Sequence, residues 1–238
     1  MEIIRASSLN NFVKCPRAFF ETEFNGDPKN LFFWTIQHYA ARWYDVTRWL
    51  DYYNNHINSD MKLRQIGLNL ATKIRDRNKA IEWIADESHS ETPFIYKYKD
   101  LFLEGTADKL YCVDWKWYMV DFKTCKKADI YLSWDVRDEY FQHYGYTFLA
   151  CEYLWIDGLY FEYIPMEKSN SARVHLSKVK RYITKEEAQK KVHEVLENYM
   201  FAKETGIHEE NLNSWCKFCE LASFCKKYYD AALDKRLG

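Results

Sequence analysis

The sequence has few of the residues that interrupt regular structure. Its 238 residues include only seven glycines and four prolines, with no internal repeat and no low-complexity tract. It therefore offers no candidate for a flexible linker, which would be rich in such residues. Because 47% of the residues are hydrophobic, a chain of this length can bury a large core. We predict a single compact domain over residues 1–238.

Membrane and export signals are also missing. No stretch approaches the roughly twenty consecutive apolar residues of a membrane span, and the start Met1-Glu2-Ile3-Ile4-Arg5 lacks the pattern of a signal peptide. We expect a soluble, cytoplasmic protein. Seven cysteines without a secretory signal fit a reducing compartment, where thiols stay free or bind metals.

The chain has almost no net charge. Its formal charge is −1 with neutral histidines, so it lacks the overall basicity of many DNA-binding domains. Any groove for nucleic acid must then be a local basic patch. The candidates form two groups: Lys123, Lys126 and Lys127, and then Lys168, Arg173, Lys178, Lys180 and Arg181. For the second group, basic side chains on a solvated surface are an equally good interpretation.

A short acidic and basic motif stands inside an apolar run. The motif is Asp121-Phe122-Lys123, which directly follows Tyr118-Met119-Val120. The whole run is predicted to form a buried strand. Alternate strand residues share a face, so Asp121 and Lys123 project together while Phe122 points into the core. Asp108 lies thirteen positions earlier, on the strand predicted to neighbour this one. Two carboxylates can hold a divalent cation while a lysine positions water, which is the chemistry of phosphodiester hydrolysis.

The order of the surrounding motifs carries more information than the tripeptide alone. Gly105-Thr106-Ala107-Asp108, predicted to form a turn, precedes the Asp-Phe-Lys strand, and Gln142-His143-Tyr144-Gly145-Tyr146 follows on a predicted helix. This order resembles the PD-(D/E)xK nucleases of the RecB type. The resemblance implies metal ligation by Asp108, Asp121 and the carbonyl of Phe122, water positioning by Lys123, and a site lined by Gln142 and Tyr146.

A histidine in an upstream helix extends the resemblance. Family members carry a metal-binding histidine, commonly as Gly-x-x-x-His with an acidic residue one turn later. The match here is His38, with Trp34 in place of the glycine and Arg42 in place of the acidic residue. The resemblance implies that His38 is a metal ligand. The alternative is a helix histidine whose ring nitrogens form hydrogen bonds within the core or with solvent. Imidazole suits Mn²⁺ better than Mg²⁺, which prefers oxygen ligands.

Four cysteines have the spacing of a metal site. Cys216, Cys219 and Cys225 form a C-x2-C-x5-C pattern, and Cys15 stands alone near the N-terminus before Pro16. Four thiolates suit tetrahedral zinc or a cubane cluster. The pattern resembles the iron–sulfur subgroup of the family, which includes CRISPR-adaptation nucleases and the AddB nuclease domain, so we favour [4Fe-4S] over zinc. Such a cluster would join the two ends of the chain as a mechanical staple.

The hydrophobic pattern predicts the elements that hold these motifs. We expect a first helix capped by Ser8 with Cys15 near its middle, then helices over 31–55 and 60–87. A three-strand meander over 93–103, 106–113 and 117–123 follows, then a helix over 133–151 and strands over 158–165 and 173–179. The capping-box sequence at Thr184 opens a last helix to about 203.

Together these observations predict an α/β domain with a central mixed β-sheet flanked by helices. The resemblance implies a restriction-endonuclease-like core, with a helical insertion at about 31–90 and an iron–sulfur staple. The implied activity is a metal-dependent DNA exonuclease using Mn²⁺ or Mg²⁺ on single strands or DNA ends, with or without a CRISPR-adaptation or recombination partner, and a phage origin is compatible. The alternative is a catalytically idle DNA-binding or assembly subunit.

Overall fold

The computed structural model describes residues 2–21, 61–125, 141–167 and 180–212, with residues 216, 219, 221, 222, 225 and 227, and without the side chains at 61–64 and 124. Helices flank a mixed, curled β-sheet over these residues, as predicted. Several predictions lie outside the described residues: the helix over 31–55 with His38, the strand over 173–179, and Lys126, Lys127, Lys168, Arg173 and Lys178.

Helices and strands are interspersed along the described parts of the chain. The helices are α1 (Ala6–Lys14), α2 (Pro16–Glu21), α3 (Met61–Ile84), α4 (Gln142–Leu154) and α5 (Lys185–Thr205). The strands are β1 (Glu2–Arg5), β2 (Glu87–Tyr98), β3 (Leu101–Val113), β4 (Lys116–Cys125), β5 (Gly158–Glu167) and β6 (Arg181–Thr184).

Strand β3 organises the sheet because it pairs with three others. Antiparallel β2 runs along one side of it. On the other side, parallel β1 pairs with residues 101–104 and antiparallel β4 pairs with 109–113. Residues 105–108 of β3 therefore face a gap between β1 and β4. Beyond it, β4 pairs with parallel β5, and β5 with antiparallel β6.

The alternation of faces along β3 is interrupted at Asp108. Ala107 and Leu110 both pack with α1, α4 and α5, although residues three apart should lie on opposite faces. Lys109, between them, turns to the other face and pairs with Glu82 of α3. The pairing of β2 with β3 omits Asp108 and the opposing Glu91, whose φ is 51°. One residue of each strand is thus left out of the backbone pairing between β2 and β3. Beyond this point the side chains of β3 lie on the opposite face from the one that strict alternation predicts.

The sheet separates two apolar clusters. The larger packs α1, α4 and α5 on one face and includes Leu9, Phe148 and Leu196. The smaller packs α3 on the other face through Leu70 and Ile74. The side chain of Phe122 belongs to the smaller cluster, so it points away from Asp121 and Lys123 as the strand pattern predicts.

The predicted first helix was wrong in its boundaries. Helix α1 begins at Ala6 with Arg5 as N-cap, so Ser8 lies inside it and does not cap it. The helix ends at Lys14, and Cys15 is extended, with φ −162° and ψ 104°. Pro16 has no N–H and clashes with a helical residue before it, which ends α1, and its fixed φ then begins α2.

The meander is present but its first turn was predicted in the wrong place. The chain reverses at residues 99–100, and Gly105 lies within β3. The Gly-x-Ala-Asp motif is therefore part of a strand, not a turn. Lys99 takes the positive φ of 51° at the true turn, a conformation that sequence rules assign first to glycine or asparagine.

The predicted last helix and its cap are confirmed. Thr184 Oγ1 accepts a hydrogen bond from the N–H of Glu187 at 3.1 Å, and Gly206 ends α5 with φ 66°. In the described part of the chain, every helix is too short or too polar to cross a lipid bilayer.

Candidate active site

The side chain of Asp108 bridges the place where β3 and β4 separate. Lys109 and Val120 are the last paired residues of these strands, so Asp108 and Asp121 are the next residues along each. Asp108 Oδ2 accepts a hydrogen bond of 2.7 Å from the N–H of Phe122. This bond holds the peptide between Asp121 and Phe122 against β3, although no backbone pair joins the strands there.

Asp121 and Lys123 lie side by side on the same face of β4. Lys123 Nζ is 2.6 Å from Asp121 Oδ2, and Gln142 Nε2 donates to Asp121 Oδ1 at 3.3 Å. Both aspartates are only 4% exposed, whereas the Lys123 side chain is 22% exposed. The paired carboxylates are therefore almost enclosed, and the lysine reaches the opening.

The charges around Lys123 and Tyr146 determine their protonation. Burial by itself lowers the pKa of Lys123, but the Asp121 carboxylate, with Tyr146 and Asp108, raises it above its usual value. Burial, and then the charge of Asp121, raises the pKa of Tyr146 to about 12, while the charge of Lys123 and a hydrogen bond from Gln142 oppose this rise. At neutral pH the lysine is thus an ammonium ion and the tyrosine a neutral hydroxyl, able to hold an anionic oxygen.

Gly105 allows α4 to lie against β3. A Cβ atom at this position would be 2.9 Å from both Leu149 Cδ1 and Tyr146 Cε1. The absence of a side chain therefore lets Tyr146 reach the gap beside Asp108. The glycine of this motif is needed for a close approach of helix and strand and not for a turn.

Asn10 positions the start of α4, a role that the sequence analysis missed. Its Oδ1 accepts a hydrogen bond of 2.9 Å from the N–H of Phe141, and the residue is buried. Phe141 precedes Gln142, so α1 orients the residue that contacts Asp121. The signal in the sequence was a polar residue on the apolar face of a predicted helix.

The oxygen donors suit a hard divalent cation. Asp108 and Asp121 supply two buried carboxylates, and carboxylate oxygen is the ligand that Mg²⁺ and Mn²⁺ accept. Among the described residues, which exclude His38, no three His, Cys, Asp or Glu side chains form a group arranged to hold a metal ion. The side chains shown therefore offer a two-carboxylate site that needs carbonyl or water ligands to be complete.

Three of the four motif cysteines approach one short segment after α5. Cys15 Sγ lies 3.9 Å from the carbonyl oxygen of Glu209, and Cys216 Sγ lies 3.7 Å from that of Asn211. The thiol of Cys225 is hydrogen-bonded to the side chain of Glu210. The fold thus brings cysteines from both ends of the chain to residues 209–211, although the four motif cysteines, all among the described residues, do not form a group arranged to hold a metal ion. Cys219 is joined to Cys216 by a backbone hydrogen bond of 3.2 Å.

An ion pair links the same three parts of the chain. Arg17 of α2 pairs with Glu210, whose Oε2 also accepts from the N–H of Lys227 at 3.3 Å. The N–H of Arg17 donates to the Glu209 carbonyl oxygen at 3.1 Å. No local pattern in the sequence indicates this pair, because its members are 193 residues apart.

Two of the basic residues proposed for DNA binding have partners within the protein. Lys180 Nζ lies 3.8 Å from buried Glu162 and 4.5 Å from the ring centroid of Tyr118. Arg181 Nη2 lies 2.6 Å from Glu187. These contacts favour structural roles for Lys180 and Arg181, whereas the partner of Lys123 is Asp121, a carboxylate of the candidate site itself.

Comparison with known proteins gives a match at the level of structure. The sequence matches no family model and no curated protein. The fold matches a crystal structure from Eubacterium rectale, described as a "putative exonuclease", with a TM-score of 0.58 over 96% of this chain and 88% of that one. The two proteins share a fold. At 11% identity the match establishes architecture and not activity.

A second solved structure, that of the protein SSO0001, matches with a TM-score of 0.43 at 13% identity, over 95% of this chain and 87% of that one.

Proposed function

We propose that this protein is a metal-dependent deoxyribonuclease that degrades DNA from its ends. The observation that carries the proposal is the pair of buried carboxylates, Asp108 and Asp121, with the Lys123 ammonium 2.6 Å from one of them, at the opening between β3 and β4. Burying two carboxylates is costly even with one ammonium group beside them, which favours a functional over a structural role. The shared fold with the protein described as a "putative exonuclease" supports the same class.

Each residue of the site has a separate role in the proposed hydrolysis. Asp108, Asp121 and the carbonyl of Phe122 would hold Mn²⁺ or Mg²⁺, and such an ion would supply polarisation of the phosphate and a lowered pKa of bound water. Lys123 orients the attacking water and offsets the charge that develops on the scissile phosphate. Gln142 holds the Asp121 carboxylate, and the neutral hydroxyl of Tyr146 contacts a phosphate oxygen.

We also propose that Cys15, Cys216, Cys219 and Cys225 bind a [4Fe-4S] cluster. The convergence of three of these cysteines on residues 209–211 supports this assignment. The cluster's role is structural: it would fasten the helix that contains Asn10 to the C-terminal segment and so hold α4 in place.

Cleavage assays test the nuclease. End-labelled single-stranded and double-stranded DNA, with closed circular DNA beside them, should be incubated with Mn²⁺, Mg²⁺ or EDTA. We expect metal-dependent loss of the linear substrates and survival of the circles. Asp121→Asn and Lys123→Gln should each lower the rate by roughly a hundredfold or more.

Matched substitutions at the far end of the same strands serve as controls. Asp114 and Lys116 are exposed at the turn between β3 and β4, so Asp114→Asn and Lys116→Gln should retain full activity. If wild type and the Asp121 and Lys123 variants degrade DNA equally, the activity is a contaminant. An idle binding or assembly subunit would then be the better interpretation.

A further inference from the structure

Three tryptophans are almost fully exposed at the ends of secondary-structure elements. Trp83 lies in the last turn of α3, Trp115 in the turn between β3 and β4, and Trp155 directly after α4. Their side chains are 91%, 96% and 91% exposed. Tryptophan has a large apolar ring system that is highly buried on average. Packing within the folded domain therefore does not explain these three side chains.

Hydrogen bonds join the end of α3 to the turn between β3 and β4. The N–H of Asp86 donates to the carbonyl oxygen of Cys112 at 2.9 Å. The N–H of Asp114, in the turn, donates to Asp86 Oδ2 at 3.0 Å. Asp86 lies three residues after Trp83, and Asp114 directly precedes Trp115. These bonds therefore bring the two tryptophans to the same end of the sheet.

The strand register places Trp155 at this end as well. Strands β4 and β5 are parallel and pair from Tyr118 and Tyr160 onward, so their first residues lie side by side. Trp115 directly precedes β4, and Trp155 lies three residues before β5. Asp121 is six residues further along β4 than Trp115, which is roughly 20 Å of extended strand. The three tryptophans are thus remote from the candidate active site.

Two of the tryptophans occupy backbone conformations that favour glycine. Trp115 has a φ of 63° in the two-residue turn, after Asp114 with a φ of 49°. Trp155 has φ 57° and ψ 46° at the left-handed C-cap of α4. Glycine adopts this conformation without steric cost, whereas tryptophan is strained in it. Strain without a gain in burial indicates that these side chains serve a contact outside the folded domain.

The exposed area is close to the area that a protein interface needs. At about 200–250 Å² for each side chain, three tryptophans that are nine-tenths exposed present roughly 600 Å². That area is at the upper limit of the apolar patches on typical monomers. It approaches the roughly 800 Å² that one partner contributes to a standard interface. Ile84, which is also exposed, adds to it.

The charges at this end indicate the kind of partner. The connections 85–86, 114–115 and 155–157 contain three exposed aspartates, Asp86, Asp114 and Asp157, and no lysine or arginine. Carboxylates repel the phosphates of DNA and the anionic head groups of a membrane. A second copy in a symmetric contact would present the same aspartates. A different protein, with basic side chains around apolar pockets, complements both the charge and the tryptophans.

We propose that Trp83, Trp115 and Trp155 form a docking surface for a second protein that is basic where it binds. The tryptophan rings enter apolar pockets of the partner, and the aspartates pair with lysines or arginines at the rim. Because the surface is remote from Asp121, a bound partner leaves the candidate active site open. The proposal goes beyond the nuclease function and does not depend on it.

Selection followed by titration tests the surface. Fragments of the proteins encoded by the source genome, displayed on phage, should be selected on the wild-type protein. Excess free Trp115→Gly/Trp155→Gly double variant removes the fragments that bind elsewhere. We expect a fragment with net positive charge whose purified, labelled form binds wild type in an anisotropy titration. Each single glycine variant should weaken this binding by at least about tenfold, and Asp157→Asn or higher salt should weaken it as well.

The glycine variants also separate binding from folding. Glycine relieves the left-handed strain, so Trp115→Gly and Trp155→Gly should unfold at the same temperature as wild type or at a higher one. A lower unfolding temperature for both would assign the side chains a structural role and overturn the proposal. Phe201, exposed near the far end of α5, supplies a matched control. Phe201→Ser should bind the fragment as wild type does.

The other outcomes also decide the question. If no fragment survives the selection, or if the survivors are acidic or bind the glycine variants equally well, the surface does not dock a basic protein. If wild type sediments as a dimer or binds vesicles of phosphatidylcholine and phosphatidylglycerol, and the double variant does neither, the surface has a different occupant and the proposal is wrong. DNA cleavage by the glycine variants, measured separately, should equal that of wild type, so a failed nuclease assay leaves this proposal standing.

Discussion

The carboxylate of Asp108 holds the backbone N–H of Phe122 at 2.7 Å, across two strands that are no longer paired. The residue predicted to bind metal therefore also replaces a missing hydrogen bond of the sheet. Because the bond is buried, its loss would leave an amide without a partner. Two substitutions of Asp108 should consequently behave differently.

We predict that Asp108→Asn abolishes cleavage without a large loss of stability, whereas Asp108→Ala loses both. Asparagine keeps an oxygen to accept from Phe122 but lacks the charge that holds the cation. Alanine leaves the buried N–H unsatisfied, at a cost of about 1–3 kcal/mol. Denaturant unfolding and cleavage of labelled DNA measure the two effects. Equal stability of the two variants would contradict the structural role of Asp108.

We predict that Gly105→Ala displaces Tyr146 and weakens activity. The new methyl group would meet Leu149 and Tyr146 at 2.9 Å, so α4 or its side chains must move. Overpacking of this kind costs about 1–3 kcal/mol. Thermal unfolding and the cleavage rate should both fall. Thr106→Ala, at the next residue of β3, should change them little, and a fully active, equally stable Gly105→Ala would refute the close-approach argument.

We predict that anaerobically purified protein is brown and contains iron and sulfide. Cys225→Ser should lose the cluster and unfold at lower temperature, since a cluster ligand contributes binding free energy to folding. Cys125→Ser is the control, because the Cys125 thiol lies 3.7 Å from the Met166 carbonyl oxygen and outside the motif. Stoichiometric zinc without iron or sulfide would show that the metal assignment is wrong.

We predict that the contribution of Glu210 to stability depends on pH. The hydrogen bond from Arg17, assisted by those from Lys227 and Cys225, holds the pKa of Glu210 below its ordinary value. The folded protein therefore binds this proton less readily than the unfolded chain. The stabilisation is complete above the unfolded pKa and is lost as the pH falls through the folded pKa.

Glu210→Gln should accordingly lower Tm at pH 7 by a small amount, on the order of 1 to 3 °C for a partly exposed pair. The difference from wild type should shrink below about pH 4.5 and disappear in stronger acid. Glu209→Gln is the control, because Glu209 contributes its backbone carbonyl to Arg17. A difference that stays constant from pH 7 to pH 3 would contradict the ion-pair explanation.

Local pattern was sufficient for much of the fold. The alternation over 117–123 identified β4 and the face shared by Asp121 and Lys123, and Thr184 marked the start of α5. These features depend on residues close in the sequence, so periodicity and capping chemistry report them directly. The boundary at Pro16 had a local cause as well, although the sequence analysis placed the helix across it.

The tertiary structure decided how these parts meet. The break at Asp108 and the gap between β1 and β4 depend on which strands pair, and the need for Gly105 depends on a helix about forty residues later. Asn10 and the Arg17–Glu210 pair make contacts between residues more than a hundred positions apart. The sequence by itself determined which side chains could perform the chemistry. Only the packing of distant elements decided which of them share one site, because such contacts leave no periodic trace in the chain.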